Sequence, residues 1–571
     1  MQEIKEQIKK VIQDLYGIDF EPEVTPSPES VDADYSSNVP LKLARELHKA
    51  PMVIAEELLK AFVNIRDDVS DRRDEPRDDG RERGGEQKVS VTPPGFLNFT
   101  LASEDLSNKI NTLVDDFEKS IEIDDYQDKM VICEFSDPNP FKVLHVGHLY
   151  TSVVGDAISR LFENARAKVI RANFGGDVGL HVAKTMYALE KKTDANEELT
   201  IESIAECYIE GTALYDNDEQ AREEITKLNK EIYRINAEDL HDSSIAELYW
   251  KGRELSYQYF EDFYAKIGVK FDKYYPESTV AALGLKTVKE QLENGVYEVS
   301  DGAVIFNGEK YGLHTRVFIN KEGVPTYEAK DVGLIFTKWN DYRFDKSVVI
   351  TGNEQKDYMT VVLKSIEQYA PELVEKTSHL THGLVKLPGG VKMSSRKGNF
   401  LKAVDVLEMI REALKKEYNS DDETVAMAAM KYAFLKYKMG GDIIFDVNES
   451  VKMTGNSGPY LLYSAVRAKK ILLNSKGEKA VDNYIYNIYE RNVAKKILEY
   501  KELLAEAVSE MAPHKLANYL YELAQEFSRF YENCPVSGSE EEGERVKLVK
   551  VYLNTMEHGL NILGIKIPEE M

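Results

Sequence analysis

The run from Met130 to His181 constrains the fold more than any other part of the chain. MVICEF (130–135) is a short apolar run suited to a buried strand. The loop SDPNPFKVLHVGH follows, then the helical stretch LYTSVVGDAISRLFENA, a second short strand KVIRANF and a Gly-rich turn GGDVGLH. Strand, Gly/His loop, helix, strand is the order of a nucleotide-binding βαβ unit in a parallel sheet. His145 and His148 stand where the loop gives way to the helix, with Gly147 between them. Gly147 lets backbone approach a base or phosphate without a side chain in the way. Helix N-termini favour anions, and imidazoles there can donate to phosphate oxygens whose charge grows in a transition state. Standing alone, two histidines at this spacing read more readily as half a zinc site or as chance.

The rest of the chain arranges itself around that unit. Its 571 residues suit three or four domains. Residues 1–105 read as an N-terminal α/β module, with helices over Ile4–Tyr16 and Leu41–Phe62 and a closing strand-like VSVTPPGFLNFTLA. Within it, residues 66–88 have almost no apolar side chain and nearly balanced charge, so they are expected to form a disordered surface loop. Residues 125–405 form the expected Rossmann-like parallel-sheet domain, interrupted by a helical, highly charged insertion at about 190–270. SVVIT (347–351) supplies another strand, followed by GNEQ. After about residue 405 strands vanish. A connecting helical segment (406–450) leads into a C-terminal all-α helical-bundle domain (451–571). The fold class is therefore α/β with two flanking domains, and a ligand should sit at the C-terminal ends of the central strands.

Composition sets the compartment and weighs on partners. No apolar run approaches the roughly 20 residues needed to span a bilayer, and the N-terminus lacks a signal-peptide core. The three cysteines, Cys133, Cys207 and Cys534, lie far apart with no CxxC pair, which disfavours disulfides and a structural metal. Reduced cytoplasm is the default compartment, and no membrane or DNA partner is expected. The formal charge of −26 by itself argues against a polyanionic partner. One basic groove can still coexist with an acidic remainder, with stacking and base-edge contacts sharing the work.

About 245 residues after the histidine pair, KMSSRKG (392–398) lies on a Gly-rich loop. Lys392, Arg396 and Lys397 on a mobile loop can close over a triphosphate and neutralise it. Together HVGH and KMSSRKG resemble the HIGH and KMSKS elements of class I aminoacyl-tRNA synthetases. Four strings narrow the resemblance to the arginyl enzymes: EFSDPNPFKVLHVGH (134–148), TYEAKDV (326–332), GNEQ (352–355) and GNSGPYLLYSAVR (455–467). PGFLNF (94–99) and LGIKIPEEM (563–571) are similar as well, so the resemblance spans nearly the whole chain.

The resemblance implies ATP-dependent activation of L-arginine and its transfer to the 3′ end of tRNA(Arg), with Mg²⁺ arriving on ATP. It implies ATP contacts from His145, Gly147, His148, Gly383, Lys392, Met393, Ser394, Ser395 and Arg396. A guanidinium is planar and always charged, so its pocket should present carboxylates. By resemblance Asp331 and Tyr327 grip that head, with Glu277 a third ligand. Asn139 and Gln355 hold the α-amino group, His145 sits near the α-carboxylate, and Glu134 orients the pocket. The sequence departs from the family-wide KMSKS at Ser395, where a lysine normally serves the pyrophosphate. Many arginyl enzymes share this loss and carry a lysine just before HIGH; Lys142 holds that place here and is expected to supply the cation alongside catalytic His145, His148 and Lys392.

For RNA, the C-terminal domain resembles an anticodon-binding domain. Arg529, Phe530 and Tyr531, and also Tyr460 and Tyr463, are candidates for stacking on splayed bases. Helix packing is at least as good a reading of Phe530, three residues from Phe527. Asn98 is a weak candidate for contact with the tRNA elbow. The resemblance further implies that tRNA binds before adenylation, and a monomer is expected. A lysyl enzyme is the nearest rival, because lysine too is a cation; a catalytically silent relative and a small nucleotidyltransferase are the others.

Overall fold

The computed structural model describes residues 2–28, 31, 33–70, 88–192, 199–388, 401–475 and 484–571. Residues 71–87 of the expected disordered loop lie outside that set, as do Lys392, Met393, Ser394, Ser395 and Arg396. The chain gathers into two compact units. One comprises residues 1–121, 467–502 and 522–556; the other comprises residues 122–466, 503–521 and 557–571.

The second unit is built on a five-stranded parallel sheet. In chain order its strands are β1 (Met130–Glu134), β2 (Lys168–Gly175), β3 (Lys273–Pro276), β4 (Lys346–Gly352) and β5 (Thr377–His382), and they lie in the order β5-β4-β1-β2-β3. Between β1 and β4 the strand order reverses direction, which opens a crevice beyond their carboxyl ends. Helix α1 (Val146–Asn164) crosses from β1 to β2, as the Met130–His181 run predicts. Helix α2 (Leu180–Lys192) and the helices α3 (Ile201–Asn217), α4 (Glu219–Ala237) and α5 (Ser244–Ile267) fill the span to β3. These insertion helices are charged outside and apolar inside, sharing a core of Ile204, Ile225, Ile232 and Tyr249.

Helices α6 (Glu277–Glu293) and α7 (Tyr327–Tyr342) pack at backbone distance. A Cβ on Gly284 would stand 1.9 Å from the Ala329 carbonyl oxygen, and one on Gly333 2.2 Å from that of Val280. Only glycine fits at this crossing, so Gly284→Ala must push the helices apart. Its expected cost is about 1–3 kcal/mol, read as a lower thermal unfolding midpoint. Gly441→Ala, where an added Cβ meets nothing within 4 Å, should leave the midpoint unchanged.

In the first unit, helices Gln2–Tyr16, Val39–Leu47 and Pro51–Ser70 cover a four-stranded antiparallel sheet. The expected single helix Leu41–Phe62 is two helices, because His48 takes a left-handed conformation (φ 48°) and Pro51 opens the next helix. The second of these runs on to Ser70, and Lys88 already belongs to a strand, so both ends of the 66–88 segment are structured.

The two compact units divide the chain differently from the boundary expected at 450/451. Residues 467–502 and 522–556 belong with the N-terminal module because buried Asp34 is gripped by Arg491 and lies 3.4 Å from Lys495. Residues 503–521 and 557–571 belong with the sheet unit. There Tyr432 donates to the Ala517 carbonyl (3.1 Å) and Lys431 to that of Gly564 (2.7 Å). Strands also persist beyond residue 405, since Ile443–Ile444 pairs in parallel with Val385–Lys386. No helix among the described residues is long and apolar enough to cross a membrane.

Candidate active site

A cleft of about 1210 Å³ opens at the carboxyl ends of β1, β2, β4 and β5. Glu134 ends β1, Gly352 ends β4 and His382 ends β5, and all three line it together with Gly176 just past β2. The loop after β1 is conformationally costly. Ser136, Asp137 and Phe141 all have positive φ, at 73°, 48° and 62°. Three such non-glycine residues in one loop are the kind of strain that functional sites hold.

That loop delivers the histidine pair onto the first turn of α1. The His148 Nδ1 accepts from the His145 backbone N–H (3.2 Å), and the His145 Nδ1 accepts from the Gly147 N–H (3.1 Å). The two rings stack at 3.8 Å. Because each Nδ1 is an acceptor, each proton belongs on Nε2, which leaves two N–H donors at a helix N-terminus. Burial, with Lys142 adding to it, pushes His145 down to about 4, and burial also holds His148 well below the ordinary imidazole value. Both rings are therefore neutral donors at physiological pH. A Cβ on Gly147 would meet the His145 ring at 2.9 Å.

Carboxylates line the same cleft, but their surroundings are not equivalent. Glu134 is buried and receives the Lys338 ammonium at 2.6 Å. Glu277 is buried against Lys330, which also donates to the Tyr233 hydroxyl (3.0 Å). The second oxygen of Glu277 lies beside Gly176 of the cleft, where an added Cβ would meet it at 3.0 Å. Asp331, on α7, has no cationic partner within ion-pair distance among the described residues; the Tyr358 hydroxyl donates to it. Burial pushes its carboxyl up to about 7, against the pull of Tyr358. Burial, with Glu134 adding, also holds Asp137 well above the usual carboxylate range, although Asp137 accepts from the Phe174 N–H at 2.8 Å.

The other expected residues fall into three groups. Asn139, Tyr327, Gln355 and Gly383 line this same cleft. Asn139 accepts from the Gly176 N–H (2.8 Å), Tyr327 is exposed at the mouth, and Gln355 ends the short turn after β4. Lys142 is half-buried with its ammonium 4.9 Å over the Tyr208 ring of α3. The KMSSRKG residues lie outside the description, but chain on both sides of them reaches the cleft. Leu384 and Val385 line it, as does Leu401, whose carbonyl accepts from the Val146 N–H (3.0 Å).

Two expectations need correction. Asn98 is buried in its sheet, its amide bonded to Ser36 (2.8 Å) and Thr92 (3.1 Å), so it offers nothing to a ligand. Phe530 is fully buried beside Phe527, because a large apolar ring at helical spacing finds the core first. Glu277 is half committed to Lys330, as above. Tyr463 and Tyr531 are exposed, Tyr460 rests edge-on against Tyr521, and Arg529 is held by Glu526 at 2.9 Å. Sequence reading missed Tyr358, Lys338 and Lys330. Nothing local marks them, since each matters through a carboxylate it meets across the fold.

Comparison with known proteins agrees along the chain. A family model described as tRNA synthetases class I (R), catalytic domain, matches residues 110–447. Models described as the DALR anticodon binding domain and the arginyl tRNA synthetase N terminal domain match residues 461–571 and 2–70. The arginine–tRNA ligase of Treponema denticola is 29% identical over 508 residues, covering 83% of this chain and 85% of the relative. Among solved structures, arginyl-tRNA synthetase from Thermus thermophilus has a TM-score of 0.76 at 24% identity, over all of both chains. That from Plasmodium falciparum has a TM-score of 0.78 at 21% identity, covering 100% of this chain and 99% of the other. At such identities these two structures speak for the fold.

Proposed function

The chain belongs to the class I arginyl-tRNA synthetases, and from that membership we propose how its cleft divides the work of activating L-arginine and esterifying it to tRNA(Arg). The guanidinium enters toward Asp331, with Tyr327 at the mouth and the free oxygen of Glu277 as a secondary acceptor. Asn139 and Gln355 hold the α-ammonium. The triphosphate lies between the HVGH turn and the 392–398 loop, contacted by Gly147, Gly383 and the loop residues Lys392 to Arg396. The arginine carboxylate oxygen attacks the α-phosphorus and pyrophosphate departs. His145 and His148 donate Nε2–H bonds to oxygens whose charge grows in that step. Lys142 and Lys392 meet the charge on the leaving pyrophosphate. A ribose hydroxyl of the tRNA terminus then takes the arginyl group and AMP is released.

Magnesium carried by the triphosphate would share in neutralising the pyrophosphate. The cleft carboxylates suit a metal brought by ATP, since Glu134, Glu277 and Asp331 are each engaged by Lys338, Lys330 and Tyr358. Exposed Tyr463, Tyr531 and Arg529 are offered to tRNA. The three buried free cysteines favour a cytoplasmic setting, and a monomer is the simplest assembly.

The observation that carries this reading is Asp331, a buried carboxylate on α7 with no ion-pair partner among the described residues, in the same cleft as the paired imidazoles. Charging of total tRNA with each labelled amino acid tests it. Arginine should be esterified and lysine should not. Pyrophosphate exchange with arginine should require added tRNA. Lysine charging at a comparable rate would overturn the assignment of the pocket.

A further inference from the structure

We propose that Tyr358 is a positioning residue that fixes the Asp331 carboxylate in the guanidinium slot, through a neutral hydroxyl that leaves the charge of the acid for the substrate. The inference rests on the reading of Asp331 given above. Tyr358 lines the cleft and donates its hydroxyl to the Oδ2 of Asp331. The end torsion of an aspartate is broad, so a fixed donor decides which way its oxygens face. A carboxylate offers about four lone-pair positions, and one hydroxyl leaves enough of them for a two-pronged guanidinium contact. An ammonium in the same place, such as those that Glu134 and Glu277 receive, would cancel the charge that arginine is to meet.

The hydroxyl comes from a rigid support. Tyr358 stands in the first turn of helix α8 (Lys356–Glu367). Met359 and Val362 of α8 share one buried core with Val332 and Ile335 of α7, the helix that carries Asp331. The Arg316 guanidinium lies over the Tyr358 ring at 5.8 Å and comes within 3.7 Å of Glu328 on α7. Gln355, read above as a holder of the α-ammonium, precedes Tyr358 by three residues. One turn of chain therefore sets the holders for both ends of the substrate. The charges around Asp331 are mixed. Glu134 from β1 and Glu277 from α6 add to burial in favouring its protonated form, and Lys338 from its own helix opposes them. Asp137, in the loop after β1, is a further acid within reach of the same carboxyl. The Tyr358 bond favours the ionised form, so removing it must raise the pH at which Asp331 ionises.

Tyr358→Phe tests this on the full chain, by the arginine KM in pyrophosphate exchange from pH 6 to pH 9 with tRNA present and ATP saturating. Phenylalanine keeps the ring and its packing and removes only the donor. At pH 7 the arginine KM should rise about tenfold. The pH at which KM levels off should move up by about one unit, so that by pH 9 the variant and the parent differ by less than about threefold. The kcat should stay within about threefold of the parent, because the hydroxyl acts on binding and not on the phosphoryl step. A rise in KM by one factor at every pH is what a packing role alone would give, and an unchanged KM would leave the hydroxyl without a role. Either result would overturn the inference while the slope of the parent still supports Asp331. A parent KM that does not change with pH would overturn the reading of Asp331 and this inference with it.

Discussion

Arginine activation by an Asp331→Asn variant should fall roughly a thousandfold in kcat/KM while the protein folds at least as well as the parent. On the proposed reading, the loss follows from leaving the guanidinium in a buried slot without the carboxylate that meets it. Removing one partner of a buried, hydrogen-bonded charge pair costs about 2–5 kcal/mol. The gain in stability follows from the empty pocket. Burial has pushed the Asp331 carboxyl up to about 7, so the folded chain holds a proton there that the unfolded chain releases. A raised carboxyl of this kind favours the fold fully below its unfolded value. That contribution is lost as pH climbs through the folded value. Above pH of about 7 the parent therefore carries an unpaired buried charge that asparagine lacks. Differential scanning at alkaline pH should show the variant melting no lower than the parent.

The same carboxyl predicts how substrate binding responds to pH. On the proposed reading arginine binds the ionised form of Asp331, so its KM should fall as pH rises from about 6 to about 8 and then level off. The Asp331→Asn variant should show no such slope. A parent KM that is flat across this range would remove Asp331 from the role given to it.

His148→Asn is expected to lower kcat for adenylation by roughly 100–1,000-fold with little change in KM for ATP. The choice of asparagine matters. Its side-chain oxygen can replace the His148 Nδ1 that accepts from the His145 N–H, so the first turn of α1 stays capped while the far donor is lost. Glutamine, which reaches the Nε2 position, should recover part of the rate. Because burial keeps both imidazoles neutral, kcat in the parent should not decline as pH rises through the ordinary imidazole value of about 6.5. Donors that were cationic would give that decline. Pre-steady-state measurement of adenylate formation separates this step from tRNA charging. Equal rates for the parent and His148→Asn would sink the donor role.

How much of this was readable beforehand differs by residue. The HVGH turn was legible because its requirements are local: a strand end, a helix start, a small residue and two imidazoles three positions apart. The parallel sheet followed from short apolar runs separated by helix-length segments. Asp331 and Tyr327 were legible only through the string that carries them, four apart at the start of α7. Asn98 and Phe530 misled for one reason. Residue type and spacing do not tell an amide or ring facing solvent from one facing the core, and both are buried. The helix boundary at His48 was lost because a left-handed residue other than glycine leaves no mark in composition.

The sequence by itself determined the family, three of the sheet's strands and the HVGH turn at the start of α1, since each depends on residues close together along the chain. Tertiary structure decided the charge of the pocket. Glu134 meets Lys338 across 204 positions and Glu277 meets Lys330 across 53, leaving Asp331 as the acid that a hydroxyl alone contacts among these three. Ionisation in a protein interior is set by desolvation and by neighbours through space, and those neighbours exist only once the chain has folded.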